Sequence, residues 1–165
     1  MMLTEVRNKI FPKAFKLLPA SMNSPAAQVI LLTIGLQESR FEFRRQLGNG
    51  PARGFWQFEK GNATSRGGVW GVANHAKTAE TLKFVCQAQG VPFDVDAIWA
   101  ALETDDVLAC CVARLLMYTD AAKLPAVTDA DGAWEMYAKR TWRPGKPHPE
   151  TWAAFHAQAR TEVGV

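Results

Sequence analysis

Glu38 closes a run of almost wholly apolar residues, Ala26-Ala27-Gln28-Val29-Ile30-Leu31-Leu32-Thr33-Ile34-Gly35-Leu36-Gln37. On a helix, its carboxyl would be poorly solvated and would lie near the negative end of the helix dipole. Both effects disfavour ionisation and raise the pKa. A carboxyl kept protonated near neutral pH is the group that cleavage of a glycosidic bond needs as its acid. Taken from the helix alone, Glu38 reads equally well as the first solvated residue after a core segment. The remaining polar chemistry is sparse. His75, His148 and His156 show no metal or nucleophile spacing. The cysteines are three, Cys86, Cys110 and Cys111, with an adjacent pair and no C-x-x-C spacing. The expectation is therefore no structural zinc, no disulfide, and no metal or cofactor.

The elements that must position Glu38 follow from punctuation and periodicity. Ser24 is a good N-cap and Pro25 suits the first helical position, so a buried helix should run from there to Glu38. Gly35, one turn before Glu38, clears space on that face. Residues 3–18 read as an amphipathic helix with a kink at Pro12. Residues 44–66 read as loop with a short hairpin. Helices are expected over 68–89, 94–102, 105–119, 132–142 and 149–161. Trp99 reads as a core anchor, and Tyr118 as a helix-end residue with its hydroxyl at the surface. The fold class is mainly α, one domain over residues 1–165, with a small β-hairpin or loop beside the site.

Gln37-Glu38-Ser39-Arg40-Phe41 followed by Gly54-Phe55-Trp56-Gln57-Phe58 resembles the lysozyme-like superfamily, most closely its soluble lytic transglycosylase and phage endolysin branch. In that branch the catalytic Glu precedes Ser, a variable residue and an aromatic, and a Gly-aromatic/Leu-x-Gln motif comes later. Glu38, Ser39, Phe41, Gly54 and Gln57 match position by position. The motifs cover roughly residues 24–60, and a looser likeness continues to Tyr137. The resemblance implies a lysozyme-like helical domain that cleaves the β-1,4 bond between N-acetylmuramic acid and N-acetylglucosamine in peptidoglycan. It implies Glu38 as acid and base, Ser39 orienting the carboxyl or touching substrate, and Gln57 and Phe55 contacting sugar. It also implies a tyrosine hydrogen-bonded to the acid. Tyr137 is the candidate for that tyrosine, although the Asn and Gly of the family's Ala-Tyr-Asn-Ala-Gly motif are missing around it.

Hydrolases usually need a second carboxylate, and phage muramidases supply an Asp that this chain lacks before Asp94. Glu59 is the possible second carboxylate, set against a plain reading as a solvated turn residue beside Lys60 and Gly61. A transglycosylase needs none, because the sugar's own 6-hydroxyl closes a 1,6-anhydro ring. A chitinase-like glycosidase is a third form, and it would want Ser or Thr where Glu59 stands. Arg140-Thr141-Trp142-Arg143-Pro144-Gly145-Lys146-Pro147-His148 offers an aromatic that could stack on sugar and cations that could take peptide carboxylates. Its other reading is a helix-ending loop whose Trp142 packs back on the core. Phe41, Phe43, Arg44, Arg45 and Arg53 form a second aromatic and basic cluster near the motif.

Charge is uneven. Residues 1–93 carry a net +7 and residues 94–165 a net −4. A basic face suits an anionic polymer, with glycan strands of peptidoglycan as the expected partner. Nucleic acid is the other candidate, and a non-catalytic basic virion or nucleic-acid-binding module is the rival reading. No segment is apolar and long enough to span a membrane, and residues 1–7 hold no signal-peptide core. The expectation is a monomer made in a bacterial cytoplasm, reaching the cell wall by holin-dependent export or within a virion.

Overall fold

The computed structural model describes all residues 1–165 and is mainly helical, with no strand. Helix α1 covers residues 3–17 as three continuous pieces, Leu3–Glu5, a wide-turn stretch Val6–Ile10, and Phe11–Leu17. Pro12, which has no N–H to donate, falls just past the junction where the wide-turn stretch gives way to the last piece. Helix α2 is Pro25–Ser39, begun by the Ser24 hydroxyl accepting from the Ala27 amide. Its residues from Val29 to Ile34 are 0–1% exposed. Because it is apolar on every side, it must be surrounded, and it lies against both α6 and α8.

Helices α3 (Gly68–Asn74) and α4 (Ala79–Gln89) replace the single helix expected over 68–89. The break is held by buried Thr78, whose hydroxyl donates to the Val72 carbonyl. No Gly or Pro marks it locally, so the interruption is a tertiary effect. Helix α5 is Val95–Ala101 and α6 is Asp106–Thr119, each begun by an aspartate, Asp94 and Asp105, that accepts from the amide three residues on. Helix α7 spans residues 130–141, as Ala130–Glu135 and the wide-turn stretch Met136–Thr141. Helix α8 is Pro149–Val163. Trp99 is half-buried, with its indole N–H donated to the Pro51 carbonyl. Tyr118 is 43% exposed.

Between α2 and α3 the chain makes no strand hairpin. It forms isolated antiparallel bridges, Arg45 with Arg53 and Arg53 with Phe58. The second bridge closes on the turn Gly54–Gln57, where Gln57 takes a positive φ of 49° and both its amide and its side chain donate to the Gly54 carbonyl. All three cysteines are buried and unpaired, and burial pushes the Cys86 thiol up to about 11. No helix is long and apolar enough to cross a membrane.

Candidate active site

The chain reverses sharply after Glu38. Arg40 and Phe41 both hold left-handed backbone, φ 56° and 55°, which is uncommon for residues with side chains. The reversal drops the Phe41 ring onto Gly35, where any Cβ would overlap it. The notch at Gly35 is therefore filled by the protein itself, not left open for a ligand. Ser39 locks the same turn. It is 1% exposed, its hydroxyl donates to the Phe55 carbonyl at 2.7 Å, and it accepts from the Phe41 amide at 3.1 Å. Ser39 is thus a buried backbone pin, with no hydrogen bond to the Glu38 carboxyl. Phe55 is likewise corrected: it is 1% exposed, packed edge-on against Phe41 and covered by the Arg44 guanidinium. A ring so placed cannot touch substrate.

Glu38 opens onto a cavity of about 820 Å³. One wall comes from the 43–68 loop, including Phe43, Leu47, Gln57, Phe58 and Glu59. The other comes from the end of α7 and the loop after it, including Thr141, Trp142, Arg143 and Lys146. Glu38, Glu59, Gln57 and Trp142 are therefore brought to one cleft. Trp142 fits both of its sequence readings. Its indole N–H donates to the Trp56 carbonyl at 2.9 Å and its ring meets Phe58 edge-on, yet it also forms part of the cleft wall. The Phe41 and Arg cluster is spent on structure. Arg44 pairs with Asp106, and Arg45 and Arg53 with Glu103, leaving Phe43 as its one member on the cleft.

Tyr137, from α7, donates its hydroxyl to Glu38 Oε1 at 2.7 Å. The Tyr137 ring is 2% exposed, so that hydroxyl has no water to turn to. Burial raises Glu38 from 4.5 to about 7, and the tyrosine bond pulls the other way by favouring the carboxylate. Burial and the neighbouring Glu38 charge hold the Tyr137 phenol far above its ordinary range, so it stays a donor. Glu38 is thus poised near neutrality, able to give a proton and to hold the resulting charge.

Three supporting features had no sequence signal. The wide last turn of α7 carries both the Trp142 and Arg143 amides onto the Tyr137 carbonyl, at 3.1 Å each. It binds the tyrosine backbone to the far wall of the cleft. Gln37, next to Glu38, accepts from the Thr151 hydroxyl and donates to the His148 carbonyl, clamping the start of α8. Trp152, on α8, packs face to face on Tyr137. A stacked tryptophan far away in sequence cannot be found from spacing alone. Of the histidines, His156 is buried, His148 exposed and His75 half-buried. No cluster of three potential metal ligands occurs. No family model, curated protein or solved structure matches this chain.

Proposed function

We propose that this chain is a lysozyme-like enzyme that cleaves the β-1,4 bond between N-acetylmuramic acid and N-acetylglucosamine, as a lytic transglycosylase. The observation that carries the reading is the Tyr137–Glu38 hydrogen bond at the edge of a large cleft, on a carboxyl raised to about 7. An acid that must also serve as base benefits from both influences. Burial keeps it protonated, and the tyrosine stabilises the anion it becomes.

In the reaction, the Glu38 carboxyl gives its proton to the glycosidic oxygen as the bond from muramyl C1 breaks. The bonding pair leaves with that oxygen, which becomes the 4-hydroxyl of the departing glucosamine. The Glu38 carboxylate then takes the proton of the muramyl 6-hydroxyl as O6 bonds to C1. The ring closes as a 1,6-anhydro sugar, no water is consumed, and Glu38 returns protonated. The absence of any Asp from the cleft lining favours this course over hydrolysis. Gln57 and Trp142 line the same cleft, which supports giving them the sugar contacts. Access to the wall by holin-dependent export or virion delivery belongs to the same proposal.

A hydrolytic variant has one specific observation in its favour: Glu59 lines the same cleft and could hold a water. The test is a digest of purified peptidoglycan by wild type and Glu38→Gln, with products read by mass spectrometry. Anhydromuramic ends support the transglycosylase. Reducing muramic ends support hydrolysis with Glu59, and reducing glucosamine ends a chitinase-like or glucosaminidase course. No Glu38-dependent product leaves a non-catalytic binding module.

A further inference from the structure

The cleft has two acidic residues, Glu38 and Glu59, and two basic ones, Arg143 and Lys146, in its lining. With Glu38 protonated, the cations outnumber the anion. Several cations near these loops are paired: Arg44 with Asp106, Arg45 and Arg53 with Glu103, Lys60 with Asp96 and Arg140 with Asp120, while Arg40 and Arg66, also unpaired, are not part of the cleft lining. Arg143 and Lys146 enter no ion pair.

Arg143 is also held in place at some expense. It adopts φ 51°, a backbone region that side-chain-bearing residues rarely occupy. Its Nη2 reaches across to donate to the Ser65 carbonyl at 2.9 Å. The facing residue is Gly67, and a Cβ there would come within 2.6 Å of Nη2. That single hydrogen bond fixes one edge of the guanidinium and leaves its other N–H donors unspent. A planar cation anchored at one edge, with free donors beside a lysine, matches a carboxylate.

We infer that Arg143 and Lys146 form a carboxylate-binding subsite, which takes the acidic peptide stem carried by the muramyl sugar and selects stem-bearing glycan over neutral glycan. The inference rests on the peptidoglycan reading of the cleft and names what distinguishes its substrate from chitin-like polymers.

The test uses Glu38→Gln protein, so that binding is measured without turnover. Two soluble probes are compared by calorimetry: a muropeptide fragment with free stem carboxylates, and the same fragment with those carboxylates converted to amides. The free acid should bind on the order of tenfold tighter, an advantage that salt erodes. Adding Arg143→Gln and Lys146→Gln should bring the ratio close to one. Lys146→Gln alone, on an exposed loop, should lower it by roughly threefold without touching the Ser65 bond. Equal binding of the two probes, or a ratio that survives both substitutions, would overturn the subsite. Cleavage by the wild type is scored separately. Turnover without carboxylate preference leaves the enzyme standing and removes the subsite. Carboxylate preference with no turnover keeps the subsite and removes the enzyme.

Discussion

Trp152 stacks on Tyr137 with ring centroids 4.9 Å apart and planes 15° from parallel, and its indole N–H is fixed to the Ala130 carbonyl. The tyrosine ring is therefore held from behind while its hydroxyl meets Glu38. Trp152 does not itself line the cleft and acts through Tyr137, so it is a positioning residue. Trp152→Leu should free the Tyr137 ring, weaken its bond to Glu38, and move the Glu38 midpoint upward in a carboxyl-resolved NMR titration. Core loss should also lower stability by about 2–4 kcal/mol. Trp152→Phe retains a flat ring and should restore most of the midpoint. A midpoint unmoved in Trp152→Leu would show that the stack is packing alone.

Tyr137→Phe isolates the hydroxyl. The ring remains stacked, but the bond that favours ionised Glu38 is gone. The Glu38 midpoint should rise above about 7, carrying the alkaline limb of the rate profile with it. Turnover should fall on the order of tenfold, the loss of one hydrogen bond to a charged group. An alkaline limb that moves down would contradict this assignment.

Glu38 should also oppose stability and activity. Its folded pKa, about 7, is raised above the ordinary 4.5. The group's stabilising contribution is fully present below 4.5 and is lost as pH rises through about 7. Above that pH the buried carboxylate costs on the order of 3 kcal/mol at most, before solvent access is allowed for. Glu38→Gln should thus unfold at higher denaturant than wild type at pH 8, and nearly together with it at pH 4. Peptidoglycan cleavage by the wild type should decline as pH climbs through 7. Equal denaturant midpoints at pH 8 would argue against a buried acid.

Gly35→Ala examines the turn after Glu38. The new methyl meets the Phe41 ring, which is itself fully buried between Phe55 and Trp56. The ring cannot retreat without disturbing that cluster, so the substitution should cost about 1–3 kcal/mol by urea denaturation. Activity should fall further than stability alone explains, because Phe41 anchors the residues that follow Glu38.

Local chemistry made the acid and its helix legible. Ser24, Pro25, Asp94 and Asp105 announce helix starts through side-chain oxygens and ring geometry that act within a few residues. Tyr137 could be selected because the chain has only two tyrosines, and Tyr118 ends an apolar helix. What escaped depended on distant contacts. Phe55 and Ser39 read as site residues from a motif, but the motif does not tell which side of the Gly54–Gln57 turn faces the core. The break at residues 75–78 rests on Thr78 and Val72, with no Gly or Pro to mark it. The expected hairpin is reduced to single bridges at Arg53 that do not extend into a ladder.

The clamp between Gln37 and the start of α8 has a bearing on how the protein is made. Synthesis delivers the acid with residues 25–39 but withholds its tyrosine until residue 137 and the supporting tryptophan until residue 152. A growing chain on the ribosome carries Glu38 for most of its length without the partners that tune it. The Glu38–Tyr137 bond spans 99 residues of sequence, and α1 is tied to α8 as well, through Thr4 and Arg7 bonded to Glu162. A product truncated before Trp152 would lack the ring that backs Tyr137, whatever part of it had folded.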